Sequence, residues 1–175
     1  MKSFHLLFIG LVLLGTGCAT GPKGPGATMI ESGAISPQTY DYSAEGATKE
    51  DLYQRARNYF AVSFGDSRSV IRVADADEGL ILGKGIISWQ VETGMWSIPH
   101  LNCSSEYDLR FMAKDNRARL QLTLLEGAPS FSQCSGWPRP TETGYAKVLR
   151  EFEDSSRRLE LELQGQGSVS DFKDF

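Results

Sequence analysis

Histidine and cysteine are scarce in this chain, with two and three among 175 residues. No Ser–His or Cys–His pair at any motif spacing stands out, and a metal site would need more ligands than the sequence offers. No stretch approaches the ~20 apolar residues that a membrane-crossing helix requires. Repeats of 20–50 residues are absent too, which excludes solenoids and propellers. Basic charge is not in excess: 18 Lys and Arg stand against 22 Asp and Glu, a net of −4. An acidic chain is not drawn to nucleic acid by its net field, so no nucleic-acid partner is expected, nor any cofactor or metal.

What is present begins at the N-terminus. Met1-Lys2 is followed by the apolar run Leu6–Leu14 and by Gly15-Thr16-Gly17-Cys18. A short apolar run ending in small residues is the pattern of a secretory signal, not of a span. Leu14-Gly15-Thr16-Gly17-Cys18 resembles a lipobox, although Gly15 stands where Leu is usual. Residues 1–17 are therefore predicted to be a lipoprotein signal peptide, with Cys18 as the first mature residue and the site of lipid attachment. The class carries a diacylglyceryl group on the thioether and commonly a further acyl chain, such as palmitate, on the amine. Two or more chains hold a protein stably on a membrane where one does not. Loss of Lys2 leaves 17 basic and 22 acidic residues, net −5, so membrane contact is expected through the lipid. The expected address is the bacterial cell envelope. Ala19 leans it toward the outer membrane, facing the periplasm, because Asp at that position is the retention signal for the inner one.

Residues 18–37 are dominated by Gly, Pro, Ala, Ser and Thr. Such a composition buries too little to repay its ordering entropy, and it reads as a flexible tether, with Ile30 and Ile35 able to add at most a short edge strand. Residues 38–164 make one domain, and 165–175 a polar tail.

Within the domain, Gln38–Ser43 alternates as a short strand. Thr48 and Asp51 form a capping box ahead of Leu52, Ala56, Tyr59, Phe60 and Phe64, a helical stripe that stops at Gly65-Asp66-Ser67. Four strand-like runs follow: Ser69–Ala74, Leu80–Trp89, Glu106–Ala113 and Arg117–Leu125, with 97–105 irregular. A two-residue turn at Asp115-Asn116 sets Tyr107 opposite Leu124, Leu109 opposite Leu122 and Phe111 opposite Leu120. One face of that hairpin is wholly apolar, and the other nearly wholly polar. A helix from about Thr143 to Leu163 closes the domain, its stripe lapsing at Ser155-Ser156 where a kink is expected. Glu153–Arg157 and Asp154–Arg158 are expected as ion pairs along it. The fold class is α+β: an antiparallel sheet with helices on one face, in β-α-β-β-β-β-α order.

The stretch Lys49–Phe60 (KEDLYQRARNYF), followed by Val70–Asp75, Glu78-Gly79 and Gly83-Lys84-Gly85, resembles the bacterial lipoprotein domain-of-unknown-function family 4468. The likeness covers Tyr40 to Leu125. It implies a TATA-binding-protein-like (TBP-like) fold and an envelope lipoprotein, and it brings no catalytic residues. A fold of that type does not by itself imply DNA binding.

With Cys18 assigned to lipid, Cys103 and Cys134 form an even pair in an oxidising compartment. Extending the hairpin register places Cys103 opposite Ala128, from which Cys134 can fold back six residues, so a disulfide is expected. Weaker motifs dissolve on inspection. Gly83-Lys84-Gly85 lacks the first glycine and the Ser/Thr of a phosphate loop and reads as a strand bent by glycines under a helix. Gly65-Asp66-Ser67 opens like a lipase motif but continues with Arg68, and reads as a helix stop. His100 is a lone loop histidine, and Asp75, Asp77 and Glu78 are a solvated turn. The candidate binding surface is the pair of long loops Gly94–Pro99, carrying Trp96, and Gly127–Pro140, carrying Phe131 and Trp137, whose aromatics suit recognition or else cap the core. The expected function is an envelope-anchored, non-catalytic binding or interaction module, its envelope protein or small-molecule ligand open. The alternative is an envelope hydrolase working through carboxylates.

Overall fold

The computed structural model describes residues 28–63 and 70–167. Residues 1–17, read above as a signal peptide, lie outside the described residues, as do Cys18, Phe64 and Gly65-Asp66-Ser67. The elements are β1 (Gln38–Ser43), α1 (Lys49–Ser63), β2 (Ile71–Asp75), β3 (Leu80–Glu92), β4 (His100–Lys114), β5 (Arg117–Leu124) and α2 (Glu142–Leu163). They follow the expected order. The strands form one antiparallel sheet, β1-β5-β4-β3-β2, and both helices pack on the same face.

The hairpin register is the expected one: Tyr107 pairs with Leu124, Leu109 with Leu122 and Phe111 with Leu120. All six are buried, each removing an apolar or aromatic side chain worth roughly 1.5–3 kcal/mol from water. Helix α1 begins with the capping box: Asp51 N–H donates to Thr48 Oγ1 and Thr48 N–H to Asp51 Oδ2, both at 3.2 Å. Its Phe60 meets Phe111 edge-on at 5.9 Å, while Phe152 of α2 meets Tyr107 at 5.1 Å. Each helix is thus keyed to β4 through an aromatic pair.

Four sequence readings change. Helix α2 runs unbroken through Ser155-Ser156, because Ser156 belongs to the buried stripe with Val148, Phe152, Leu159 and Leu163. Its hydroxyl is satisfied by the Tyr42 hydroxyl at 2.8 Å, so a polar residue sits inside without bending the helix. The ion pair on this helix is Asp154 with Arg157, at a spacing of three residues where four was expected. Strands β3 and β4 extend to Glu92 and from His100, so most of the segment taken as irregular is paired, from Trp89–Cys103 out to Glu92–His100. Glycines 83 and 85 make room not for a crossing helix but for neighbouring groups. A Cβ at Gly85 would sit 2.3 Å from the Tyr107 ring, and one at Gly83 would sit 2.7 Å from the Val70 carbonyl.

The end of the tether also takes part in the fold. Met29 bridges to Thr141, Ile30 N–H donates to the Pro140 carbonyl at 3.1 Å, and Arg139 Nε donates to the Ile30 carbonyl at 2.9 Å. Ile30 is buried.

Candidate functional site

The loops singled out by their aromatics come together at one end of the sheet. Strand β5 stops at Leu124, opposite Tyr107 and four residues short of the level of Cys103 on β4. The β4 amides beyond it would be left as an open edge. The 125–140 loop closes that edge: Ser104 N–H donates to Ser132 Oγ at 2.9 Å and Asn102 N–H to Gln133 Oε1 at 2.6 Å. Between them Cys103 and Cys134 are joined by a disulfide, with Cα atoms 5.2 Å apart, within the span such bridges require. Ala128 N–H donates to the Trp137 carbonyl at 2.9 Å and Gly127 N–H to the Pro138 carbonyl at 2.7 Å, drawing the loop shut at its base.

Trp89 is the hub beneath these loops. It is buried, donates from Nε1 to Ser105 Oγ at 3.0 Å, and meets Trp137 with ring centroids 6.2 Å apart. The first turn of α2 passes directly over it. Thr141 caps that helix by accepting from Gly144 N–H at 3.1 Å, and a Cβ at Gly144 would stand 2.4 Å from the indole. Only glycine allows this approach.

Of the three aromatics assigned to a binding surface, the structure separates one from the other two. Trp137 is half-buried and packs against the core, so it supports the loop from below because Trp89 offers it an apolar partner. Trp96 is 100% exposed and Phe131 63% exposed. Trp96 lies in the β3–β4 turn, where Met95 and Ile98 are exposed as well. That turn is held from within: Thr93 N–H donates to the Pro99 carbonyl at 3.0 Å, Met95 N–H to Thr93 Oγ1 at 3.0 Å, and the Thr93 hydroxyl to the Ile98 carbonyl. Its backbone is tied and its large side chains point out. His100 is exposed and paired with Glu92 at the last rung of the ladder.

The sheet face away from the helices is polar. Lys84 lies 3.7 Å from Asp108 and 3.8 Å from Glu106, and Arg119 holds Asp41 through two bonds at 2.6 and 2.9 Å. The hydrogen bond from Arg119 keeps the Asp41 carboxyl below its ordinary range, opposite to what a general acid needs. Burial pushes the Tyr42 and Tyr107 hydroxyls upward, so both stay neutral as core groups. Among the described residues no cluster of three or more His, Cys, Asp or Glu is placed to hold a metal. The face mixes both signs of charge closely, which gives no field to attract a polyanion.

The model of the family described as a domain of unknown function (DUF4468) with TBP-like fold matches residues 39–126. The chain belongs to this family. A solved DUF4468 family protein from Bacteroides ovatus is similar in fold, with a TM-score of 0.53 at 11% identity over 77% of this chain and 87% of that one. A TBP-like protein from Parabacteroides distasonis aligns at 10% identity with a TM-score of 0.47 over 74% of this chain and 97% of that one. No curated protein matches the chain in sequence. The DUF4468 match stops at residue 126, so the loop bearing Phe131, Cys134 and Trp137, together with α2, lies beyond it.

Proposed function

We propose that this DUF4468 protein is a lipoprotein of the bacterial cell envelope, anchored through lipid on Cys18, whose folded domain is a non-catalytic binding or interaction module. The observation that carries the reading is the allocation of the cysteines. Cys103 and Cys134 are joined to each other, a bond that persists in oxidising compartments. The remaining cysteine is the one behind the signal-like run. An exported chain that keeps one thiol at that position has the arrangement lipidation uses. Ala19 favours the outer membrane, with the domain facing the periplasm.

Growth with an alkyne-tagged palmitate tests the anchor. Label on the wild-type protein that disappears in Cys18→Ser supports it; an unlabelled wild-type protein overturns it. The interaction role is tested by photo-crosslinking from position 96 in intact envelopes. A discrete adduct lost when the crosslinker is moved to the polar turn at position 76 supports binding at this end. Equal adducts from both positions, or none from either, contradict it.

A further inference from the structure

We infer that the uncharged loop end of the domain docks on the bilayer that holds its anchor, with the β3–β4 turn seated in the lipid interface. The inference rests on the lipid reading of Cys18 and adds to it a face and an orientation.

Three observations point the same way. The first is composition. Residues 93–99 and 127–138 contain no charged residue, in a chain that is 23% charged. The turn presents Met95, Trp96 and Ile98 to solvent, and the neighbouring loop presents Phe131. Large apolar and aromatic side chains on uncharged loops, with Glu92, Glu126 and Arg139 at the loop bases, suit the headgroup level of a membrane, where a tryptophan's apolar ring and N–H are both satisfied.

The second is the rigidity of the support. The turn's backbone is hydrogen-bonded to itself, and the Phe131 loop is fixed to β4 by Ser132, Gln133 and the disulfide. Little ordering entropy remains to be lost on docking.

The third is where the anchored segment enters the fold. It joins at Thr28–Ile30, against Pro140 and Glu142 at the start of α2, beside the Gly144–Trp89 contact. Nine residues, Ala19 to Ala27, separate Cys18 from that point, a reach of roughly 35 Å at full extension. The turn extends about 10 Å of strand past Trp89, from residue 89 to residue 92, at ~3.3 Å per residue. The opposite end of the sheet lies roughly 36 Å of strand away, from Cys103 to Lys114. The near end meets the membrane with slack in the tether; the far end would consume all of it. Lipid is therefore the surface this patch encounters first and at the highest effective concentration.

The test uses the full lipidated chain in vesicles of phosphatidylethanolamine and phosphatidylglycerol, with and without bromine on the acyl chains. The N-terminal peptide mass is read on the same preparation. The expected result is a lipidated Cys18 and tryptophan emission quenched by the brominated lipid, the quenched component vanishing in Trp96→Phe and shrinking in Met95→Asp/Ile98→Asp. A lipidated protein whose emission is unaffected by bromine overturns the docking while leaving the anchor intact. An unmodified Cys18 overturns the anchor and the docking with it. Because residues 95, 96 and 98 are exposed, folding of the variants is checked by the retained emission of buried Trp89.

Discussion

At the end of the sheet where β4 turns into β5, the chain is closed by polar groups. Asn116 Oδ1 accepts from Gly46 N–H and Asp115 Oδ1 from Lys49 N–H, both at 2.8 Å, so the turn clamps the link between β1 and α1. Asp75 caps its own turn by accepting from Glu78 N–H at 3.0 Å, and Lys49 Nζ donates to the Asp77 carbonyl. At the other end the closing elements are a disulfide, a pair of tryptophans in tilted contact and neutral side chains on amides. Hydrogen bonds near water contribute modestly, because water competes for every partner. A covalent link and buried rings do not face that competition. The polar end is built to remain in water; the loop end is secured by means that survive its removal from water.

The comparison breaks most visibly at Trp89. Trp89→Ala removes the hub of the loop end and is expected to cost roughly 3–5 kcal/mol, read as a lowered urea midpoint, with the Trp137 environment altered in near-UV circular dichroism. Next is the disulfide. Cys103→Ser/Cys134→Ser removes a link across 31 residues of sequence and is expected to cost roughly 3–4 kcal/mol in the chain-entropy model. Reductant should lower the wild-type midpoint likewise and leave the double variant unmoved. The polar end should yield less. Asn116 sits at φ 64°, where a side chain other than Asn or Gly is strained, and Asn116→Ala also deletes the bond to Gly46. A cost of about 1–2 kcal/mol is expected by the same denaturation, with Asn116→Gly recovering the backbone share.

The smallest effect is that of pH on Asp41. Its carboxyl is held below the ordinary value by the Arg119 hydrogen bond, so the folded state binds its proton less readily than the unfolded chain does. The contribution is present above the unfolded value and fades as pH falls through the folded one. In Asp41→Asn the slope of stability with pH below about 4 should be slightly shallower than in wild type, and unchanged at neutral pH. The site is exposed, so the difference is small.

How much of this was legible in the sequence varied with the kind of signal. The β4–β5 register followed from a two-residue turn and strict alternation, since a slip of one residue would have exposed Leu109, Phe111, Leu120 and Leu122 together. The outer half of β4 was not legible by composition: Ser, Asn, His and Pro around Cys103 are poor strand formers. Its signal lay in the alternation Leu101, Cys103, Ser105, Tyr107, diluted by the small and polar members. The unbroken course of α2 depended on a bond between Tyr42 and Ser156, which lie 114 residues apart; no local pattern carries that. For the candidate site, the aromatic loops and the cysteine pair could be named in advance. What separated Trp137 from Trp96 was the position of Trp89, a fact of packing.

The most direct test of the two-ended account compares one reporter at both ends of the same anchored protein. Trp96 in the native chain is set against Ala76→Trp in the Trp96→Phe background, each lipidated in vesicles and titrated with aqueous iodide. The account predicts Trp96 shielded relative to the detergent-solubilised protein, and the tryptophan at 76 quenched alike in vesicles and detergent. Equal accessibility of the two positions in vesicles would contradict it.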